Sequence, residues 1–242
     1  LRRERVLSTY AFDLQRALLP SSLPTLPGVA VDSSTAPDGQ GIVGGDWYDA
    51  FVTSRGLLAL VVGDIAGHGL QAAAAMAQFR NALRAYLVDE GSPARALDRM
   101  NGLARDLLPS EMATALVGLL DLSTLRLSLS SAGHPDPLLL RDGGAEILEA
   151  GRNTVLGFQA RPGTDRETAL RPGDTVVLFS DGLVESRHHP FDERVDRLRA
   201  VAVDERWQGT DGLAGRLVQV MTEDERADDV TVLTVTLLET HE

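Results

Sequence analysis

The stretch VVGDIAGHGLQAA, Val61 to Ala73, contains the change of period from which the fold is read. Leu57 to Val62 is an unbroken apolar run, short enough for a buried strand. From Gly69 to Val88 the chain is Ala-rich, and Met76, Phe79, Leu83, Tyr86 and Leu87 recur at helical spacing, which predicts a long amphipathic helix. Strand gives way to helix across a few small and polar residues, among them Asp64 and His68.

Working outward, Ser92 followed by Pro93 reads as an N-cap with proline at the first helical position, opening a second helix to about Leu108. After it the period falls to two. Thr114 to Leu120, Arg126 to Ser130, Pro137 to Leu140 and Glu146 to Leu148 read as strands of a meander, with Gly143 and Gly144 supplying a tight turn. Thr168 to Leu170 leads through Arg171–Pro172–Gly173–Asp174 to a strand at Thr175 to Phe179. Arg187 to about Gln208 is polar and carries no clear period; Gly212 to Met221 reads as a helix and Val230 to Leu238 as a closing strand. Upstream, Val29 to Ala36 and Trp47 to Val52 read as strands flanking a Gly-rich loop, Pro37 to Gly45. Helices embedded among many short strands predict α+β layers rather than alternating βαβ units.

The first segment places Leu7, Tyr10, Ala11, Leu14, Ala17 and Leu18 at near-heptad spacing before Pro20. Residues 1–20 are therefore expected to form an amphipathic linker helix, either packed on the domain or acting as a coiled-coil connector able to form a homodimer, and residues 21–242 the functional domain. The chain opens on Leu1 rather than Met, as expected of a fragment or a processed chain.

Composition bounds the chemistry. With 242 residues and 43% hydrophobic content, one large core is expected. Cys is 0, which removes disulfides, thiolate zinc sites and cysteine nucleophiles, and is compatible with a cytoplasmic location. The formal net charge of −12, without a basic stripe, argues against nucleic-acid partners and against docking on anionic membranes. No apolar run is long enough to span a bilayer as a helix.

Four segments share one design, a hydrophobic strand with Asp at its end beside Gly or a second Asp: Gly44–Gly45–Asp46–Trp47, Val62–Gly63–Asp64–Ile65, Phe179–Ser180–Asp181–Gly182 and Asp228–Asp229–Val230–Thr231. Taken singly, each is a turn residue as readily as a ligand, because Asp is disfavoured inside strands and its side chain bonds nearby backbone. Asp174 shows the plain turn reading. Taken as a set, strand ends of a layered domain can gather at one rim, where four carboxylates would repel one another unless a cation neutralised them. Oxygen ligands without Cys or a spaced His pair suit Mg²⁺ or Mn²⁺ better than Zn²⁺. Two such ions about 3.5–4 Å apart would make water a stronger acid and neutralise phosphate oxygens.

Six motifs occur in one order: GGDWYDAF (44–51), VVGDIAGHGLQAA (61–73), MATALVGLLD (112–121), SAGHPDPLLLR (131–141), RPGDTVVLFSDGLVESR (171–187) and DDVTVLTV (228–235). With QRALLP at 15–20 as a lead-in, the chain resembles the stage II sporulation protein E (SpoIIE) phosphatases, within the metal-dependent class that includes the type 2C protein phosphatases. The resemblance implies two antiparallel sheets packed as a sandwich and flanked by helices. It also implies hydrolysis of phosphoserine or phosphothreonine by directly attacking activated water. The substrate it suggests is a small phosphorylated anti-sigma-factor antagonist.

Residue by residue, the resemblance implies that Asp64 is shared by two metal ions, with the Ile65 carbonyl as a further ligand. Asp181 and Asp228 would hold the second ion, and Asp46 would act directly or through water. Asp228 is preferred over Asp229, which stays a candidate ligand. Type 2C phosphatases often place a His just after their Asp-Gly as a candidate acid. Here His68 lies further along and is expected at the helix N-terminus, where a neutral imidazole can cap; otherwise water must protonate the leaving oxygen. His134 is expected to serve a turn.

Other signals fail in context. Gly39-x-Gly41-x-x-Gly44 precedes a strand instead of following one, so it is no dinucleotide fingerprint. Neither a P-loop nor a GxSxG elbow is present. Two further readings stand beside the phosphatase: a silent partner-binding module of the same fold, and a phosphatase of small phosphoesters.

Overall fold

A computed structural model describes residues 18–37, 44–159, 161–223 and 228–239. The helix expected over residues 1–20 falls almost wholly outside the described residues, as does most of the loop expected at 37–45.

Eleven strands form two sheets among the described residues. Sheet I has the order β1 (Val29–Ala36), β11 (Val230–Leu237), β10 (Thr175–Phe179), β6 (Leu138–Arg141), β7 (Gly144–Ile147). Sheet II has the order β2 (Trp47–Val52), β3 (Leu58–Ile65), β4 (Ala113–Asp121), β5 (Arg126–Ala132), β8 (Gly151–Arg152), and β9 (Arg166–Ala169) also pairs with β5. The pairings are antiparallel except β5–β8, a two-residue parallel contact that the sequence reading does not foresee. Helices α1 (Leu70–Glu90) and α2 (Pro93–Leu107) cover one outer face; α3 (Phe191–Arg206) and α4 (Leu213–Met221) cover the other.

Alternation along the strands builds three apolar layers. In β3, Leu58, Leu60 and Val62 pack between the sheets with Leu178, Leu233 and Val235. The intervening Ala59 and Val61 pack outward against Met76, Phe79 and Met100 of α1 and α2. On the far side Leu138, Leu140, Val177 and Phe179 meet Leu198 and Leu217 of α3 and α4. Both faces of the central strands are covered, so they read as continuous apolar runs instead of alternating ones.

Local chemistry explains most boundaries. Ser92 Oγ accepts from the Arg95 N–H at 3.2 Å with Pro93 in the first turn, as the sequence predicts. The β6–β7 hairpin turns on Asp142 (φ 51°) and Gly143 (φ 75°), both left-handed as a two-residue hairpin loop requires, so Gly144 belongs to the strand and not to the turn. Asp174 acts as the expected turn residue, its Oδ2 accepting from the Arg171 N–H and from Arg141. The unread stretch 187–208 contains α3. Its buried positions are only Arg194, Leu198 and Ala202, a stripe too thin to register, and Arg194 donates across to the Leu183 and Met221 carbonyls.

Candidate metal centre

Paired strand ends bring the carboxylates together. β2 and β3 are antiparallel with Trp47 opposite Gly63, so Asp46, just before β2, and Asp64, near the end of β3, lie at one end of sheet II. β10 and β11 pair Phe179 with Val232, so Asp181, just after β10, and Asp228 and Asp229, just before β11, lie at one end of sheet I. Ser180 joins the two ends. Its Oγ donates to Asp46 Oδ2 at 2.6 Å and accepts from the Thr231 N–H at 2.9 Å.

Glycine makes room for this approach. A Cβ on Gly44 would fall on the Asp229 carboxylate, and one on Gly182 would fall on the Asp229 carbonyl oxygen. A Cβ on Gly45 would occupy the space faced by both the Ile65 carbonyl oxygen and Asp64 Oδ1. Gly44, Gly45 and Gly182 are therefore packing requirements of the cluster, whereas Gly63 makes room for the Trp47 ring.

Electrostatics confirm that the carboxylates share one field. Burial raises the Asp46 carboxyl well above its ordinary value, with further upward pushes from Asp64, Asp229 and Asp181; the Ser180 hydroxyl opposes them. Burial and then the charges of Asp181, Asp228, Asp229 and Glu185 push Asp64 up to about 8. Asp181 is raised by burial and by Asp228. Asp229 is buried and acts on Asp46 and Asp64; Asp228 is exposed and acts on Asp64, Asp181 and Glu185. The two neighbours act together on Asp64 and otherwise on different groups, and Asp228 Oδ1 also accepts from the Asp229 N–H at 2.7 Å.

All the groups here are oxygen donors, and their mutual repulsion is relieved by a hard divalent cation, so the residue set fits Mg²⁺ or Mn²⁺. Among the described residues, no three His, Asp or Glu side chains sit close enough to enclose an ion as they stand. The set is a convergent carboxylate cluster and not a closed shell.

His68 lies at the helix N-terminus as expected but does not hold the cap position. It is exposed and precedes the helix, whose N-cap is Gly69 with no side-chain cap bond. His134 exceeds its expected turn role. It does close a turn, with Ser131 Oγ accepting from its N–H and donating to its carbonyl oxygen. Its ring, however, is buried between the sheets, in contact with Thr114 Oγ1 and the Phe179 carbonyl oxygen.

Three site residues escaped sequence reasoning. Ser180 lay inside a quoted motif, and the signal was a hydroxyl placed between an apolar strand and an Asp. Glu185, raised by burial and by Asp181 and Asp228, follows the 3₁₀ turn Asp181–Leu183 and donates its backbone N–H to the Asp181 carbonyl. Nothing in the sequence marked His134 as an inter-sheet contact.

Residues 54–238 match the family model for stage II sporulation protein E. The chain belongs to the SpoIIE family. Asp46 lies outside the matched residues, and its bond to Ser180 ties it to them. Among curated relatives, the phosphoserine phosphatase RsbU of Bacillus subtilis is 27% identical over 191 residues, covering 77% of this chain and 56% of RsbU. Protein IcfG of Synechocystis is 26% identical over 203 residues, covering 72% of this chain and 32% of IcfG. The structure of the RsbU and RsbW domains of Rv1364c from Mycobacterium tuberculosis superposes with a TM-score of 0.84 at 29% identity, over 93% of this chain and 64% of that one. The catalytic domain of the serine/threonine phosphatase PstP, solved in complex with two manganese ions, shares the fold (TM-score 0.63, 18% identity, 87% of this chain and 99% of that one). This SpoIIE-family chain thus spans about half of RsbU and a third of IcfG. Among its described residues no helix is long and apolar enough to cross a membrane.

Proposed function

We propose that this chain is a divalent-cation-dependent protein phosphatase that hydrolyses phosphoserine or phosphothreonine on a regulatory protein, in the role of an anti-sigma-factor antagonist. The observation carrying this reading is the gathering of Asp46, Asp64, Asp181, Asp228 and Asp229 at one rim of a SpoIIE-family sandwich, where their charges oppose one another. RsbU, named as a phosphoserine phosphatase, and a relative that joins RsbU and RsbW domains support the substrate class. In this reading Asp64 would be the carboxylate shared by two Mn²⁺ or Mg²⁺ ions, with the Ile65 carbonyl, which faces the same space over Gly45, as a further ligand. Asp181 and Asp228 take the sheet I side, and Asp46 and Asp229 the buried side. Bound cations would supply Lewis acidity to the phosphoryl oxygens and to water. Ser180 holds the Asp46 carboxylate in place.

The division at residue 20 belongs to the same proposal, with residues 21–242 as the catalytic unit. The first described residue of the lead-in, Leu18, offers its carbonyl to Arg80 of α1 at 3.0 Å.

The test is phosphate release from a phosphoserine protein, with Mn²⁺ and then with excess chelator. Release that requires Mn²⁺, and is faster on phosphoprotein than on free phosphoserine, is the expected result. Protein that binds Mn²⁺ but releases nothing favours a silent partner-binding module. Activity unchanged by Asp64→Ala overturns the site.

A further inference from the structure

The rim of the cleft is crossed by a second, neutral link besides Asp46–Ser180. His134 Nδ1 lies 2.8 Å from Thr114 Oγ1, and His134 Nε2 lies 3.1 Å from the Phe179 carbonyl oxygen. Thr114 is on β4 in sheet II, directly opposite Asp64 in the ladder. Residues opposite one another in an antiparallel pair project from the same face. Phe179 ends β10 in sheet I, and the chain continues through Ser180 to Asp181. One imidazole therefore connects the register partner of Asp64 to the residue two positions before Asp181.

The chemistry of the partners sets the ring's state. A carbonyl oxygen only accepts, so Nε2 carries the proton, and Nδ1 is left to accept the Thr114 hydroxyl proton. Both ring nitrogens are used, and the residue is 4% exposed. Its backbone is equally fixed. Ser131 Oγ closes the turn at 3.0 Å from the His134 N–H, and Gly133 takes φ 75°, where a Cβ would fall on Val155 Cγ2. A group this tightly held at both ends is a spacer.

We propose that His134, as the neutral Nε2–H tautomer, is a positioning residue that sets the gap between the Asp64 and Asp181 sides of the cleft and thereby the fit of the cations that bridge them. The proposal rests on the metal-centre reading above. His134 touches none of the ligating oxygens; it acts through Thr114 and Phe179. Groups that orient metal ligands from behind typically change affinity 10- to 100-fold when removed.

The experiment uses the full chain and two readouts. The first is nitrogen-15 NMR of the histidine rings in metal-free protein, where His134 should show the Nε2–H tautomer. An Nδ1–H tautomer or a ring exchanging freely with solvent overturns the strut. The second is Mn²⁺ binding, followed by the electron-spin signal of free Mn²⁺ alongside urea unfolding. His134→Leu should raise the Mn²⁺ concentration for half-saturation about 10-fold or more. Thr114→Val, which removes only the hydroxyl, should shift it in the same direction even where His134→Leu folds poorly. Combining the two should add little to the larger single effect. His134→Gln, whose amide can donate to the Phe179 carbonyl, should recover part of the loss. Variants that lose stability while binding Mn²⁺ like the parent overturn the positioning role and leave a structural one. A parent chain that binds no Mn²⁺ overturns the metal-centre reading itself, a distinguishable outcome that the tautomer readout does not share.

Discussion

Asp64→Asn should make the metal-free protein gain stability relative to the parent as pH rises, while destroying its response to Mn²⁺. Burial, followed by Asp181, Asp228, Asp229 and Glu185, pushes the Asp64 carboxyl from 3.8 up to about 8. The folded chain therefore keeps a proton at this position that the unfolded chain has already lost. The associated stability is fully present below pH 3.8 and is lost as pH rises to about 8. Within that window the slope is at most about 1.4 kcal/mol per pH unit for one group. Asp64 is partly open to solvent, which screens the effect, so about half that slope is expected. Asp46, Asp181 and Glu185 are raised in the same direction, which steepens the parent's slope. Asn has nearly the same shape and cannot ionise. Relative to the parent, Asp64→Asn should gain about 2 kcal/mol between pH 5 and pH 8. Urea unfolding in chelator across pH 5 to 8.5 measures this directly. Saturating Mn²⁺ should then stabilise the parent by RT ln(1 + [Mn²⁺]/Kd) and leave Asp64→Asn unmoved. A variant that gains nothing on the parent between pH 5 and pH 8 in chelator, or one that Mn²⁺ stabilises equally, would refute the reasoning.

Four further outcomes are expected. Ser180→Ala strands the Thr231 N–H and releases Asp46, so urea unfolding should show a loss of about 1–3 kcal/mol, with Mn²⁺ binding weakened in parallel. Gly44→Ala sets a methyl group onto the Asp229 carboxylate and should abolish Mn²⁺ binding in calorimetry while circular dichroism stays near that of the parent. The His134 ring is depressed from 6.5 to about 4 by burial, so the stability it contributes is lost as pH falls through that window, by up to about 3 kcal/mol; in urea unfolding at pH 6.5 and 4.5 the parent should lose ground relative to His134→Gln on acidification, the carboxylate contributions being common to both. Asp49 is 1% exposed and paired with Arg80 and Arg84, so Asp49→Ala leaves the part-buried Arg80 without its carboxylate and should cost about 1–3 kcal/mol in the same assay.

Much of the fold was legible because most elements carry their own punctuation. The Ser92–Pro93 start, the apolar spacing of α1 and the alternation of the meander are local signals, and each element appears within a few residues of its expected place. The misses have physical causes. α3 buries a stripe of one residue per turn, with Arg194 in the place of an apolar side chain, so its period is hidden. β8 is two residues long and exists only through its pairing with β5. β3 runs on through Gly63, Asp64 and Ile65 because β4 pairs with all three, which places Asp64 inside the strand instead of after it.

By itself the sequence determined the family, the layered class and the candidate carboxylates, because ligand types and strand ends are written in short contiguous motifs. It also indicated a hard cation, since Cys is 0 and Asp dominates the motifs. Only the tertiary structure decided which residues hold those carboxylates in relation to one another. The Ser180–Asp46 bond spans 134 positions, and the His134 contacts reach 20 positions back to Thr114 and 45 forward to Phe179. It also separated Asp229, which is buried, from Asp228, which is exposed. Such relations depend on how two sheets stack, and no local pattern of residues encodes the distance across a sandwich.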